Sequence, residues 1–256
     1  MSSRPSPAEF RRRFEAGELL VGTFIKTPSV HATEILGDIG FDFVVVDEEH
    51  APFDRCQTEL VSLAARAANT ACIVRVPDVP RLLGVLDDGA TGVLVPHVST
   101  PARAREVAAA CRYRGGKRGF SNSPRAGRYG GVGLWGHVDA QDAMVTVIAM
   151  IEDPEALDTI DDIVATDGLH GVFIGRGDLT VAFGAENPDA PVIVDAVEKI
   201  TAAARKAGKP VCVMVSGAAE AAKFKAMGAS AFIVASDQAF MRQAAGKALE
   251  GFSGLR

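Results

Sequence analysis

Eight short apolar runs, rich in β-branched residues, recur along the chain: LLVGTFI (19–25), DFVVV (42–46), CIVRV (72–76), GVLV (92–95), MVTVIAMI (144–151), GVFI (171–174), PVCVMV (210–215) and AFIVA (231–235). They are apolar almost throughout rather than alternating with polar residues, the pattern of parallel strands covered on both faces. Stretches with helical spacing lie between most of them: CQTELVSLAARAA (56–68), ARAREVAAACR (102–112), VIVDAVEKITAAARKAG (192–208) and AAEAAKFKAMG (218–228). The last two close on Gly208 and Gly228, residues suited to a helix C-terminus. Eight strands alternating with helices in 256 residues predict a (β/α)8 TIM barrel, a single domain over 1–256, with a last helix at about 237–250. A doubly wound open sheet is the alternative. The count that closes at eight, and a pattern that never breaks into a second unit, favour the barrel.

The composition supports a packed core and narrows the partners. The hydrophobic fraction is 48% and the formal net charge is -5. No Lys/Arg block or basic face points to nucleic acid or anionic lipid. Cys56, Cys72, Cys111 and Cys212 are scattered, with no CxxC pair, so free thiols in a reducing compartment are expected rather than a disulfide or zinc frame. The start, MSSRPSPAEFRRRF, lacks the apolar core of a signal peptide, and no later run reaches membrane-spanning length. A soluble cytoplasmic protein is expected. The one irregular stretch, RGGKRGFSNSPRAGRYGGVGLWG (114–136), is too long for an ordinary connection between the fourth and fifth strands. Loops of that size are usually functional.

In such barrels the chemistry gathers at the C-terminal ends of the strands. Strand one ends at Lys26, strand two at Asp47, Glu49 and His50, and strand three carries Arg75. Strand four ends at Pro96 and His97, strand five at Glu152, and strand six runs into IGRGDL with Asp178. Strands seven and eight end at Ser216 and Ser236. A lone histidine after a strand is often only solvated. With Asp47 three residues earlier and Glu49 adjacent, His50 reads as a base whose imidazole a carboxylate can orient. Arg75 lies inside the apolar IVRVP and needs an anionic partner, either a rim acid or a substrate. Glu152 ends the most apolar strand, where a carboxylate needs a cation or a proton. The Gly-Arg-Gly turn before Asp178 could face backbone amides toward an anion, although glycine turns ending in Asp are also common helix N-caps. Two carboxylates on neighbouring strands suit a hard divalent ion that fills its other positions with water and substrate oxygens. Without a thiol or histidine cluster, a zinc site of the nitrogen and sulfur type is disfavoured. A Schiff-base route needs a desolvated lysine inside the barrel, and Lys26 is the only lysine near the rim.

VVVDEEHAP, the strand arginine in VRVP, LDDGATGVLVPHV, the loop with Arg118, Gly119, Arg125 and Ala126, IEDPEAL, and DGLHGVFIGRGDL occur in that order. Together they resemble the HpcH/HpaI family of class II, pyruvate-dependent aldolases, over about 22–236. The resemblance implies a barrel of the phosphoenolpyruvate/pyruvate type that makes or cleaves 4-hydroxy-2-oxo acids from pyruvate and an aldehyde. It implies Glu152 and Asp178 as ligands of Mg²⁺, Mn²⁺ or Co²⁺, and the amides of Gly177 and Asp178 as holders of the pyruvate carboxylate. His50 would be the base and Arg75 the group that stabilises the enolate oxygen. Asp47 and Asp87 are both candidates to tune His50. Asp87 falls near the start of strand four, at the far end of the barrel, and would need a water chain or a neighbouring subunit. Two departures bear on the substrate. Met150 stands where the family often carries a glutamine, and a thioether donates no hydrogen bond. IGRGDLT replaces the usual IGPxDLS, which places Arg176 near the site. The family implies a homo-oligomer, typically a hexamer, with the last helix packing on a partner. Two other readings remain: a metal-dependent acyl-CoA lyase of the citramalyl- or malyl-CoA type, which would draw on Arg112, Arg114, Lys117 and Arg118 for CoA phosphates, and a barrel that binds a small acid without turning it over.

Overall fold

The computed structural model describes residues 6–255. Residues 1–5, part of the segment read above for a signal peptide, lie outside them. The eight predicted strands form, in order, β1 Leu20–Ile25, β2 Phe43–Asp47, β3 Ala71–Arg75, β4 Gly92–Val95, β5 Thr146–Ile151, β6 Gly171–Ile174, β7 Val211–Val215 and β8 Ala229–Ser236. Every neighbouring pair is parallel, and β1 pairs with β8, so the sheet closes into a barrel in sequence order. The expected (β/α)8 architecture is therefore the observed one.

The helices follow the same order. They are α1 Phe10–Glu15, α2 Val30–Ile39, α3 Arg55–Ala67, α4 Arg81–Asp87, α5 Pro101–Cys111, α6 Leu134–Met144, α7 Ile160–Val164, α8 Arg176–Ala182, α9 Pro191–Lys206, α10 Ala218–Met227 and α11 Asp237–Glu250. Their ends have local causes. Asp54 and Gln57 make a reciprocal capping box at the start of α3. Gly208 and Gly228, at φ +66° and +109°, take the left-handed turn after α9 and α10 that a side chain disfavours. Among the described residues no helix is long and apolar enough to cross a membrane.

Alternation along each strand splits the core in two. One set of residues, with Val44, Val46, Cys72, Val74, Val93, Val147, Val172 and Val213, packs outward under the helices. The other, with Phe24, Phe43, Val45, Ile73, Leu94, Ile148, Met150, Phe173, Cys212 and Ile233, fills the barrel interior. Both faces are apolar, which explains the continuous apolar runs. The sequence reading missed the element that seals the lower end. Phe10 and Phe14 of α1 stack with ring centroids 5.8 Å apart, and Phe10 meets Phe43 at 5.3 Å. A Cβ on Gly171 would lie 2.5 Å from the Phe14 ring, so this glycine makes room for the plug. Each of these buried rings contributes roughly 1.5–3 kcal/mol by leaving water.

The interior alternation also positions the rim. Counting two residues on from the inward Phe24, Val45, Ile73 and Met150 gives Lys26, Asp47, Arg75 and Glu152. Each charged residue is the next inward-facing position of its strand, at the end where the barrel opens.

Candidate active site

The Asp47 carboxylate is fully buried, and β2–β3 register sets it beside Arg75. Arg75 donates from Nε to Oδ1 at 2.9 Å and from Nη2 to Oδ2 at 2.7 Å, a bidentate pair. Lys26 Nζ lies 3.0 Å from the same Oδ2. Burial alone would raise the Asp47 pKa, but the Arg75 pair, Lys26 and the His50 amide hold it down at about 2. Arg75 also reaches Glu49 at 3.4 Å and lies 4.9 Å above the Phe24 ring. Glu48, next to these acids, faces the helices instead. It accepts from Thr58 at 2.7 Å and from Arg81 at 2.6 and 3.0 Å, which ties α3 and α4 to the rim.

His50 follows β2 on a turn, and its side chain is 57% exposed. Its backbone N–H donates to Asp47 Oδ1 at 3.1 Å, whereas its ring Nε2 is 3.6 Å from Glu49 Oε2. The expectation that Asp47 orients the imidazole is thus corrected. Asp47 points inward to two cations and meets His50 only at the main chain, and the ring turns outward beside Glu49. Asp87 does not reach His50 either. It ends α4, which runs back toward the lower rim, and accepts from Arg118 Nη2 at 3.2 Å.

Glu152 is buried, and its Oε1 accepts the backbone N–H of His97 at 2.8 Å. His97 presents that N–H from a positive φ of +53°, an uncommon conformation for a side chain other than glycine. Its ring bonds Asp153 at 3.0 Å. The sequence placed His97 at the rim without a role, and no local signal announces the backbone turn. On the other side, a Cβ on Gly175 would lie 2.6 Å from the Glu152 Cβ and 3.0 Å from Oε2, so only glycine lets the end of β6 pack there. Asp178 sits on the first turn of α8 and is exposed. Burial first, then the charges of Asp178 and Glu49, push Glu152 up to about 7 despite the His97 contacts.

A cavity of about 550 Å³ at this rim is lined by Lys26, Arg75, Gly177, Asp178 and Arg176, with Phe24, Met150, Phe173 and Met214 as its apolar wall. Met150 is a core residue of the barrel interior and brings no hydrogen-bond donor to the site. Arg176 pairs with Glu220 and lies 4.7 Å over the Phe224 ring. Among the described residues no set of three or more His, Cys, Asp or Glu side chains is grouped to hold a metal ion. The oxygen donors at the rim are two carboxylates, Glu152 and Asp178, with Glu49 near enough to repel Glu152.

The acidity of Glu152 predicts a pH effect. A carboxyl group whose folded pKa is near 7, against an ordinary 4.5, binds a proton more tightly in the folded chain. Stability then falls as pH rises from about 4.5 to 7, and levels off above. In EDTA the melting temperature of the wild type should fall over this range more steeply than that of Glu152→Gln. Parallel curves for the two proteins would show that Glu152 is not the group responsible.

Residues 20–244 match the HpcH/HpaI aldolase/citrate lyase family. Over 256 aligned residues the chain is 33% identical to a 5-keto-4-deoxy-D-glucarate aldolase of Enterobacter sp. (strain 638), covering 98% of this chain and 99% of that one. The HpcH/HpaI aldolase from Desulfitobacterium hafniense DCB-2 superposes with a TM-score of 0.89 at 25% identity, covering 95% of this chain and 96% of the other. The citrate synthase SbnG superposes at 0.86 with 28% identity, over 96% and 99%. The chain belongs to the HpcH/HpaI aldolase/citrate lyase family and is a carbon–carbon lyase.

Proposed function

We propose that this member of the family is a divalent-metal-dependent aldolase that makes or cleaves 4-hydroxy-2-oxo acids, with pyruvate as one half and an aldehyde as the other. One observation carries the reading. Lys26 and Arg75 are matched by Asp47 and Glu49, whereas no Lys or Arg among the described residues pairs with Glu152 or Asp178. Two carboxylates that repel one another, Glu152 buried and Asp178 lining the cavity, suit a small hard dication. Mg²⁺, Mn²⁺ and Co²⁺ all accept such oxygen donors. Glu152 and Asp178 would hold the ion, which supplies positive charge for the keto and carboxylate oxygens of pyruvate.

The chain's own groups do the rest. The N–H groups of Gly177 and Asp178, in the first turn of α8, have no intrahelical acceptor and hold the substrate carboxylate. Arg75, fixed by Asp47, donates to the oxygen where enolate charge develops and needs little reorganisation to do so. His50, whose ring Nε2 lies 3.6 Å from Glu49 Oε2, takes a proton from the pyruvate methyl carbon. The enolate carbon then bonds to the aldehyde carbon, whose oxygen takes up a proton; cleavage runs the same steps backward. Met150 and Phe173 close the site against water rather than bonding substrate.

Assembly belongs to the same proposal. From residue 241 to 250, α11 is exposed throughout, and Met241, Leu249 and the following Phe252 are apolar. That surface suits a second copy of the chain, and the proposed state is a hexamer. Asp87, remote from His50 in its own chain, would act on His50 only from a neighbouring copy. The acyl-CoA alternative is weakened because three of its four basic residues are engaged: Arg112 with Asp167, Arg114 with Asp139, and Arg118 buried against Asp87.

The test is pyruvate release from a racemic 4-hydroxy-2-oxo acid, first in EDTA and then with Mn²⁺. Activity should appear only with metal. Glu152→Ala should abolish it, and His50→Ala should lower turnover by about 10²–10⁴-fold while Mn²⁺ binding, read by calorimetry, persists. Full activity in EDTA, or loss of Mn²⁺ binding in His50→Ala, would contradict these roles. Light scattering should give the mass of six chains; a monomer would contradict the assembly.

A further inference from the structure

The lower end of the barrel, remote from the mouth, holds a cavity of about 360 Å³ where β5 and β6 begin. Its walls come from α1, the end of α5 and the turn after α9. His170, the residue before β6, lines it and is only 8% exposed. Its main-chain N–H donates to the Val147 carbonyl at 2.9 Å, and its ring Nδ1 accepts the Val147 N–H at 2.8 Å. A main-chain N–H can only donate, so Nδ1 carries the lone pair and the proton of the neutral ring sits on Nε2. The bond to Val147 turns Nδ1 toward β5 and leaves the Nε2–H edge to the cavity. Among the described residues that N–H has no acceptor. A buried donor without a partner is costly, and a ligand that accepts from it removes the cost.

The surroundings set the sign of that ligand. Burial, then the charges of Arg11, Lys209 and Arg112, push the His170 ring down to about 3 against the opposing charge of Asp167. Three cations thus act on one neutral imidazole, and they keep donors in hand. Lys209 gives one N–H to the Leu169 carbonyl at 2.6 Å and has two left. Arg112 gives Nη1 to Asp167 at 2.6 Å, and among the described residues its Nη2 and its buried Nε have no partner. Arg11 reaches the Asp142 carbonyl at 2.5 Å and Glu15 at 3.4 Å. The acids of the cavity are engaged or turned away. Asp142 accepts the main-chain N–H groups of Tyr113 and Arg114 at 2.8 and 2.9 Å, Glu15 lies against Arg11, and Asp167 is 84% exposed. The fourth cation, Arg114, pairs with Asp139.

We propose that this cavity is a second ligand site, separate from the mouth, for a small anion that carries a phosphate group. A carboxylate offers two oxygens. A phosphate group offers at least three strong acceptors, enough for the Nε2–H of His170, Nη2 of Arg112 and the ammonium of Lys209 together. The volume is that of a small-molecule pocket rather than of a bare ion, which leaves room for the rest of a phosphate ester. The Leu169 carbonyl and Asp167 hold the two cations before the ligand arrives, so little side-chain freedom is lost on binding. The bound anion ties α1, the end of α5 and the turn after α9 to the feet of β5 and β6. No bond of the ligand is made or broken there.

The experiment is calorimetric titration of the full chain with inorganic phosphate and with glycerol 3-phosphate, in EDTA and at constant ionic strength, beside a matched titration with sodium chloride. Saturable binding of at least one phosphate, and none of chloride, is expected. His170→Asn keeps an oxygen that can accept the Val147 N–H but lacks the Nε2–H, and Lys209→Met removes the ammonium. Each should weaken binding by about tenfold or more. Tighter binding of glycerol 3-phosphate would name an ester as the ligand, and binding of inorganic phosphate alone would name the free ion; both uphold the site. No saturable binding of either phosphate, or unchanged binding in either folded variant, would overturn it. Should His170→Asn not fold, Lys209→Met decides alone.

Discussion

The buried pair between Asp47 and Arg75 organises the open end of this barrel. A carboxylate with no exposed surface and a guanidinium beside it are costly to desolvate, and removing one partner of such a pair typically costs about 3–5 kcal/mol. The pair sets several positions at once. Asp47 receives Arg75 and Lys26 from the flanking strands and the main-chain N–H of His50 from the turn that follows. Three strands and the candidate base are thereby referred to one carboxylate. Arg75, held by two nitrogens, keeps its remaining face toward the cavity and the Phe24 ring.

Glu152 is built on the opposite principle. The interior alternation brings it to the same rim, where no Lys or Arg among the described residues pairs with it. His97 gives one N–H from a strained backbone, and Gly175 packs so closely that a methyl group would not fit. The carboxylate is thus held firmly in place while burial and nearby acids push its acidity toward neutrality. In one half of the rim Lys26 and Arg75 are matched by Asp47 and Glu49, and in the other no Lys or Arg among the described residues pairs with Glu152 or Asp178. The proposed chemistry needs both: a donor fixed before charge develops, and a negative seat for the ion.

Much of this was legible in the residues. The apolar runs marked all eight strands to within about two residues, and Gly208 and Gly228 marked helix ends, because burial on both faces and positive φ leave direct signatures. Asp47, Arg75 and Glu152 could be placed at the rim since each keeps the two-residue phase of its strand. What was hidden depends on contacts between distant segments or on backbone turns. Asp237 reaches the main chain of Lys26 and Thr27 only because β8 closes on β1. The bond from His97 to Glu152 depends on a single φ angle. Asp47 and His50 are three residues apart and looked like a carboxylate–imidazole pair. The strand end aimed one inward and the turn aimed the other outward. α1 carries Phe10 and Phe14 one turn apart, a spacing too short to reveal a plug for the barrel floor.

The central claim is that this rim generates the enolate of pyruvate, and proton–deuterium exchange at the pyruvate methyl group tests it without any knowledge of the aldehyde. NMR in heavy water would follow the methyl signal first with EDTA and then with Mg²⁺ or Mn²⁺. The account predicts exchange that requires the added metal. An unchanged methyl signal with every metal tried would contradict it and show that pyruvate is not the nucleophile.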